Sequence, residues 1–388
     1  MYNRYLKLDL PTGQSAFLWG ARKTGKSTYL KDHFPQAKYF DFLQTDIAIT
    51  YTRAPYLFRE QILELTPTEL SQPIILDEIQ KVPMVLDEVH WLIENSDAYF
   101  ILCGSSARKL KRGAANLLGG RAWRFNFYPL TYKEIPDFDL KKALNNGLIP
   151  SHYLQESARR DLIAYVQVYL KEEIQAEGLT RNLPAFSRFL DAVAYSHGQQ
   201  INHSNIARDC GVNASTVKAY YQILVDTLIG YEIFPYSRKV RRDIITATPK
   251  FYLFDVGIVN ALTNRDISEL KGPAAGEAFE QFIFMELIAY IGLEELNIEI
   301  NYWRTKTGLE VDFIINRGRI AIEVKISNLV KKDKLKGIIA FSEEHKPEQA
   351  IVVSLDSLRR RIPVADGTDI IIMPWQEFLD KLWEKKIF

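Results

Sequence analysis

Gly20, Gly25, Lys26 and Ser27 stand in the order G-x-x-x-x-G-K-[ST] within Gly20-Ala-Arg-Lys-Thr-Gly-Lys-Ser27, the spacing of a loop that wraps the phosphates of a nucleoside triphosphate. The chemistry follows from the residue types. Backbone N–H groups of such a loop point at phosphate oxygens, and Gly20 and Gly25 are expected to permit the turn. The Lys26 ammonium then reaches the β- and γ-phosphates, and the Ser27 hydroxyl faces Mg²⁺ at a helix N-terminus. Thr28 follows and is counted with the cofactor contacts. The flanks agree, because apolar Ala16–Trp19 enters as a buried strand and Thr28–Lys31 leaves as a helix start.

A phosphate loop calls for carboxylates at the end of a second buried strand, and Pro73-Ile-Ile-Leu-Asp77-Glu78 ends in two. Asp77 is expected to hold Mg²⁺ through water, and Glu78 to polarise the water that attacks the γ-phosphate. A third strand, Ala98–Cys103, runs into Gly104-Ser105-Ser106-Ala107-Arg108, where Ser105 or Ser106 would sense the γ-phosphate or simply form a turn and helix cap. Arg121, after Leu117-Leu-Gly-Gly, is a candidate to reach a γ-phosphate in the same or a neighbouring subunit.

A second set of chemical groups lies near the C-terminus. Asp312 sits in Leu309-Glu-Val-Asp-Phe-Ile-Ile, and Glu323 and Lys325 sit in Ile320-Ala-Ile-Glu-Val-Lys, beyond the turn Asn316-Arg-Gly318. Residues two apart on a strand share a face, so Glu323 and Lys325 are expected to meet Asp312 across a hairpin. Such a group suits phosphodiester hydrolysis: Asp312 and Glu323 chelate Mg²⁺ or Mn²⁺, Glu280 from a preceding helix adds a ligand, and Lys325 orients water or offsets charge.

The elements that must position these groups fall into three patterns. Strands and helices alternate through about Asp139, as in a parallel sheet covered on both faces. The strand signal then stops, and Arg159–Ala176 carries Leu162, Tyr165, Val166, Tyr169 and Leu170 on one helical face. Asn145–Gly147 is the expected joint between domains. Further on, Ile201–Lys218 reads as helix, Gly211 turn, helix, with Ser215 or Thr216 opening the second helix. Two strand-like runs, Ile229–Tyr236 and Ile244–Tyr252, follow with a basic tip. If this wing binds DNA, Thr216 and Lys218 face the major groove while Arg238, Lys239, Arg241 and Arg242 contact phosphates; a protein contact is the competing reading. Lys331–Lys336 and Arg359–Arg361 are further basic stretches that suit a phosphate backbone or a solvated surface.

Composition bounds the rest. A chain of 388 residues needs two or three domains, and 47% hydrophobic with 25% charged residues is the mix of a soluble globular protein. The net charge of +1 requires any nucleic-acid site to come from local clustering. Two cysteines, Cys103 and Cys210, support neither a disulfide framework nor a zinc site. Without a signal segment or a long apolar run, a cytoplasmic protein with no membrane partner is expected.

Taken together, GARKTGKS, IILDEIQ, GSSA, LLGGR, the helical middle and GEAFEQFIFMEL…VDF…IEVK resemble the bacterial and archaeal AAA-type ATPases that carry a C-terminal domain of unknown function. The resemblance covers nearly the whole chain. It implies an α/β protein of three domains: an AAA-type P-loop domain at 1–145, a helical and winged-helix region at 146–262, and a domain similar to PD-(D/E)XK nucleases at 263–388. It makes Lys26 and Ser27 ATP and Mg²⁺ contacts, Asp77 and Glu78 the paired acids, Arg121 a finger acting in trans, and Glu280, Asp312, Glu323 and Lys325 the nuclease-like site. DNA and a homo-oligomer, a hexamer among the candidates, are the implied partners. A signalling ATPase with a non-catalytic C-terminal binding module is the alternative.

Overall fold

The computed structural model describes residues 2–105, 118–155, 158–166, 182–237, 248–364, 367 and 369–388. Ser106, Arg108, Leu117, Tyr169, Leu170 and the basic tip residues Arg238, Lys239, Arg241 and Arg242 lie outside them. The chain forms two compact units, Met1–Leu130 with Ile223–Ile229, and Thr131–Gln222 with Gly230–Phe388.

In the first unit the strands β1 (Ser15–Trp19), β2 (Tyr39–Asp41), β3 (Ile74–Asp77), β4 (Phe100–Gly104) and β5 (Ala122–Asn126) form a parallel sheet in the order β2-β3-β4-β1-β5. Strands β1, β3 and β4 are buried along their whole length, as their unbroken apolar runs require for a sheet covered on both faces. The helices are α1 (Lys26–His33), α2 (Thr45–Arg53), α3 (Tyr56–Leu63), α4 (Pro67–Leu70) and α5 (Val85–Asn95). Phe17, Trp19, Phe58, Leu76, Val89, Phe100 and Leu102 belong to one core that fixes the strand ends. Register aligns Asp77 with Cys103, Cys103 with Leu18, and Gly104 with Trp19. The phosphate loop, the paired acids and the Gly-Ser turn therefore leave the sheet at the same edge.

The second unit begins with α6 (Leu140–Asn146), α7 (Pro150–Tyr153), α8 (Ala158–Ala164), α9 (Leu183–Tyr195) and α10 (His203–Cys210), and shares α11 (Ala214–Asp226) with the first. Strands β6 (Gly230–Pro235) and β7 (Lys250–Leu253), helices α12 (Val256–Thr263) and α13 (Gly272–Leu293), and strands β8 (Ile300–Arg304), β9 (Glu310–Ile315) and β10 (Ile320–Lys325) follow. Helix α14 (Lys336–His345), strands β11 (Gln349–Ser354), β12 (Arg360–Pro363) and β13 (Asp369–Pro374), and α15 (Trp375–Trp383) complete it. Among the described residues its strands make one sheet, β12-β13-β11-β10-β9-β8-β6-β7. Strand β6 lies in the first run expected as a wing, and β7 overlaps only the end of the second, whose residues 244–247 lie outside the described ones; the two strands pair with each other, and β6 also pairs with β8. The sheet thus crosses residue 262, where a domain boundary was expected.

Asn145–Gly147, expected as an interdomain joint, is instead docked inside this unit. Asn260 Nδ2 donates to the carbonyls of Leu144 and Asn145, and Asn145 exchanges hydrogen bonds with the backbone of Ile267. Gly147 holds φ +71° against the Asp255 carboxylate, which leaves no room for a side chain. Among the described residues no helix is long and apolar enough to cross a membrane. Cys103 and Cys210 are buried free thiols.

Candidate nucleotide site and C-terminal carboxylate cluster

The loop Gly20–Ser27 runs from the end of β1 into the first turn of α1, and its two glycines serve different ends. Gly25 has φ +98°, a conformation that favours glycine, and caps α1. Gly20 was expected to permit the turn, but its φ is not positive. Any side chain there would collide with the Phe127 carbonyl, and Gly20 N–H donates to the Gly104 carbonyl at 3.3 Å. Lys26 is buried, and its Nζ donates to the carbonyls of Gly20 and Ala21 at 2.7 and 3.0 Å, which holds the ammonium inside the loop. Ser27 is half-buried, and Thr28 is exposed on the first turn of α1.

The paired acids are each held by a residue that sequence reasoning passed over. Tyr39 on β2 donates its hydroxyl to Asp77 Oδ2, and Asp77 Oδ1 accepts the Glu78 N–H at 3.1 Å. Burial, then the Asp77 charge, push the Tyr39 phenol well up. Ser27 and Asp77, the two residues expected to hold Mg²⁺, offer one hydroxyl and one carboxylate, a donor set that suits that hard cation. Glu78 is buried with φ 57°, and its Oε2 accepts a hydrogen bond from Gln80 Nε2. Gln80 Nε2 also donates to Ser105 Oγ at 3.1 Å. Parallel register was the missing information for Tyr39; the amide in Asp77-Glu78-Ile79-Gln80 was the available signal for Gln80.

Arg121 lies at the other edge of the sheet. Ala122 pairs with Ser15 at the start of β1, whereas the phosphate loop follows Trp19, so roughly 15 Å of strand and loop separates them at about 3.3 Å per residue. Its guanidinium pairs with Glu94 of α5. The structure does not bring Arg121 to its own chain's phosphate loop.

In the second unit, Glu280, Asp312, Glu323 and Lys325 do come together. The β9–β10 ladder ends at Phe313 and Ile322, and beyond it Asp312 Oδ2 accepts the Val324 N–H at 2.7 Å. Lys325 pairs with Glu323, two residues before it on the same face. Burial and then the Asp312 charge raise the Glu323 carboxyl despite that pair. Burial opposes charge on Lys325 too, but Glu323 and Asp312 outweigh it and raise its pKa. Burial and Asp312 likewise raise Glu280, which accepts a hydrogen bond from Tyr252 Oη at 2.6 Å.

Lys250 and Glu310 belong to the same cluster and were missed. Lys250 is buried on β7, pairs with Glu310, and lies 4.0 Å from Glu280. A lone lysine in the apolar strand Lys250–Leu253 was the signal, and its partners became visible only when β7 joined the sheet. Among the described residues no three His, Cys, Asp or Glu side chains converge as a metal-ligand set, so Glu280, Asp312 and Glu323, though clustered, do not form the three-ligand site expected of them.

The helix-turn-helix geometry is present as α10, Gly211 in the left-handed region, and α11. Its cap differs from expectation. Asn213 Oδ1 accepts the N–H and hydroxyl of Thr216 and the hydroxyl of Ser215, so both hydroxyls expected to open the helix or face outward are turned to the cap. Lys218 is exposed. In the basic triplet each arginine has an acid: Arg359 pairs with Glu377, Arg360 with Asp356 and Arg361 with Asp369.

Three family models match successive stretches: an AAA domain at residues 12–136, a Domain of unknown function (DUF8612) at 137–271, and a Domain of unknown function (DUF4143) at 275–377. Over 259 residues the chain is 26% identical to uncharacterized proteins of Mycobacterium tuberculosis and Mycobacterium bovis, which covers 63% of this chain and 56% of each relative. It therefore spans about half the length of those relatives. An uncharacterized protein of Haemophilus influenzae is 22% identical over 346 residues, 79% of this chain and 81% of that one. A solved structure of the Aeropyrum pernix ORC1 protein in complex with DNA is similar at 15% identity and a TM-score of 0.27, over 65% of this chain and 86% of that one. With the phosphate loop, the parallel sheet and the strand-end acids on one edge, the match at 12–136 gives the N-terminal part of this chain the AAA-type P-loop fold.

Proposed function

We propose that this AAA-type domain hydrolyses ATP, with Ser27 and Asp77 as the residues that would hold Mg²⁺ and Glu78 as the base, and that hydrolysis is coupled to DNA binding and metal-dependent strand cleavage at the C-terminal cluster. Lys26 binds the phosphates; Glu78 takes the proton of the attacking water. The position of Arg121 supports an oligomer in which it serves a neighbouring subunit's nucleotide.

The observation that carries the cleavage reading is the charge balance around Glu323. Four carboxylates, of Glu280, Glu310, Asp312 and Glu323, face two ammonium groups, of Lys250 and Lys325, and Glu323 Oε2 is buried with no hydrogen-bond partner. An orphaned buried carboxylate oxygen beside a second carboxylate fits a divalent cation. Asp312 and Glu323 would hold it, with Glu280 beyond, and the metal would supply charge neutralisation for phosphodiester cleavage. Lys325 then keeps Glu323 oriented and offsets charge developing on phosphate.

One observation favours a second reading, a signalling ATPase whose C-terminal domain is a binding module. Lys250 already neutralises the Glu280 and Glu310 side of the cluster. Incubation of the purified chain with linear, single-stranded and branched DNA, with Mg²⁺ or Mn²⁺ and with or without ATP, separates the two. Cleavage that requires metal supports the first reading. Intact DNA in every reaction, together with no Mn²⁺ binding by calorimetry, supports the second.

A further inference from the structure

Gln80 stands on a 3₁₀ turn, Ile79–Lys81, that leaves β3 directly after Glu78. The left-handed backbone at Glu78 turns the chain so that the Gln80 side chain returns over the strand ends, where the residue is 3% exposed. Its Nε2 donates to Glu78 Oε2 and to Ser105 Oγ. The amide must present nitrogen here, because its oxygen against a carboxylate would pair two acceptors. Gln80 Oε1 is buried with no hydrogen-bond partner. Gly104 makes the room: a side chain there would collide with the Gln80 amide and stand 2.9 Å from the Trp19 ring. Burying an amide with an orphaned oxygen costs stability that an apolar side chain of similar size would not, so packing alone does not account for glutamine at this position.

We propose that Gln80 is a positioning residue for ATP hydrolysis, which holds one oxygen of Glu78, leaves the other for the attacking water, and ties that carboxylate to Ser105 at the end of β4. This rests on the reading of Glu78 as the base. In the step it serves, the water oxygen bonds to the γ-phosphorus and its proton passes to Glu78. The bond from phosphorus to the β,γ-bridging oxygen breaks, and its electron pair leaves on ADP.

The test is steady-state ATPase kinetics and ATP binding of the full chain carrying Gln80→Met, which keeps the volume and removes the donor. Turnover should fall about 10- to 100-fold, the size expected for one hydrogen bond to a charged group, while KM and the Kd for ATP stay within about twofold of wild type. Gln80→Asn, one methylene too short to span Glu78 and Ser105, should give the same split and serves if the methionine variant is insoluble. Wild-type turnover in a folded variant overturns the proposal. So does a parallel loss of ATP binding and turnover, which marks a role in folding the site. Glu78→Gln is assayed alongside: if it turns over normally, the reading of Glu78 fails, whereas a dead Glu78→Gln with a fully active Gln80→Met removes only the role of Gln80.

Discussion

Asp312 accepts the backbone N–H of Val324 at 2.7 Å, so a side chain on β9 takes the place of a ladder carbonyl just where β9 and β10 part. The bond gives Asp312 a structural duty besides any bound cation. Asp312→Ala would leave a buried N–H unsatisfied, at a cost of about 1–3 kcal/mol. Asp312→Asn keeps an acceptor for Val324 and removes the charge, so the two variants separate stability from chemistry. Asp312→Asn and Glu323→Gln should each abolish Mg²⁺- or Mn²⁺-dependent DNA cleavage with ATP hydrolysis largely intact. Loss of ATPase activity in step with cleavage would contradict separate sites.

Metal binding at this cluster also has a thermal signature. If a divalent cation binds the folded chain, Mg²⁺ or Mn²⁺ at 100 times its Kd should add about 2.7 kcal/mol by mass action, read as a rise in unfolding midpoint. In Glu323→Gln the rise should disappear when ATP is absent. An equal rise in that variant would place the cation elsewhere.

At the nucleotide site, Lys26→Ala should abolish tight ATP binding, and Glu78→Gln should bind ATP with near wild-type affinity while turnover drops by about 10²-fold or more. Fluorescent-nucleotide titration and phosphate release measure the two effects. Normal hydrolysis by Glu78→Gln would remove the proposed base.

Arg121 lies at the opposite end of β1 from the phosphate loop, so complementation is expected between subunits. Arg121→Ala and Lys26→Ala chains, each inactive alone, should recover part of the ATPase activity when mixed, because some pairs then combine an intact loop with an intact arginine. No recovery in oligomers shown to be mixed would leave Arg121 with its surface partner Glu94 only.

Glu286 predicts a pH dependence. Burial pushes its carboxyl from 4.5 to about 8, against hydrogen bonds from Trp383 Nε1 and the Tyr132 N–H. A raised carboxyl favours the protonated folded form, so its contribution is complete below pH 4.5 and is lost as pH rises through about 8. Unfolding midpoints of wild type should therefore fall over that window, and Glu286→Gln should fall less steeply. Parallel curves would show that Glu286 ionises in the folded chain as freely as in the unfolded one.

The sequence alone determined the parts whose chemistry is local. Gly20–Ser27 carries its own turn, charge and hydroxyl within eight residues, and the short unbroken apolar runs before Asp77 and Gly104, each ending in turn or acidic residues, read as buried strands. Alternation along Ile320–Lys325 likewise put Glu323 and Lys325 on one face. Only the tertiary structure decided which partners those groups meet, because hydrogen bonds and ion pairs depend on register between segments distant in sequence. Tyr39 reaches Asp77 through the parallel pairing of β2 and β3, and Lys250 meets Glu280 and Glu310 because β7 joins a sheet that crosses an expected domain boundary. Gly20 shows the same division: its place in the motif was legible, but its physical need, the close approach of Phe127, exists only once β5 lies beside β1.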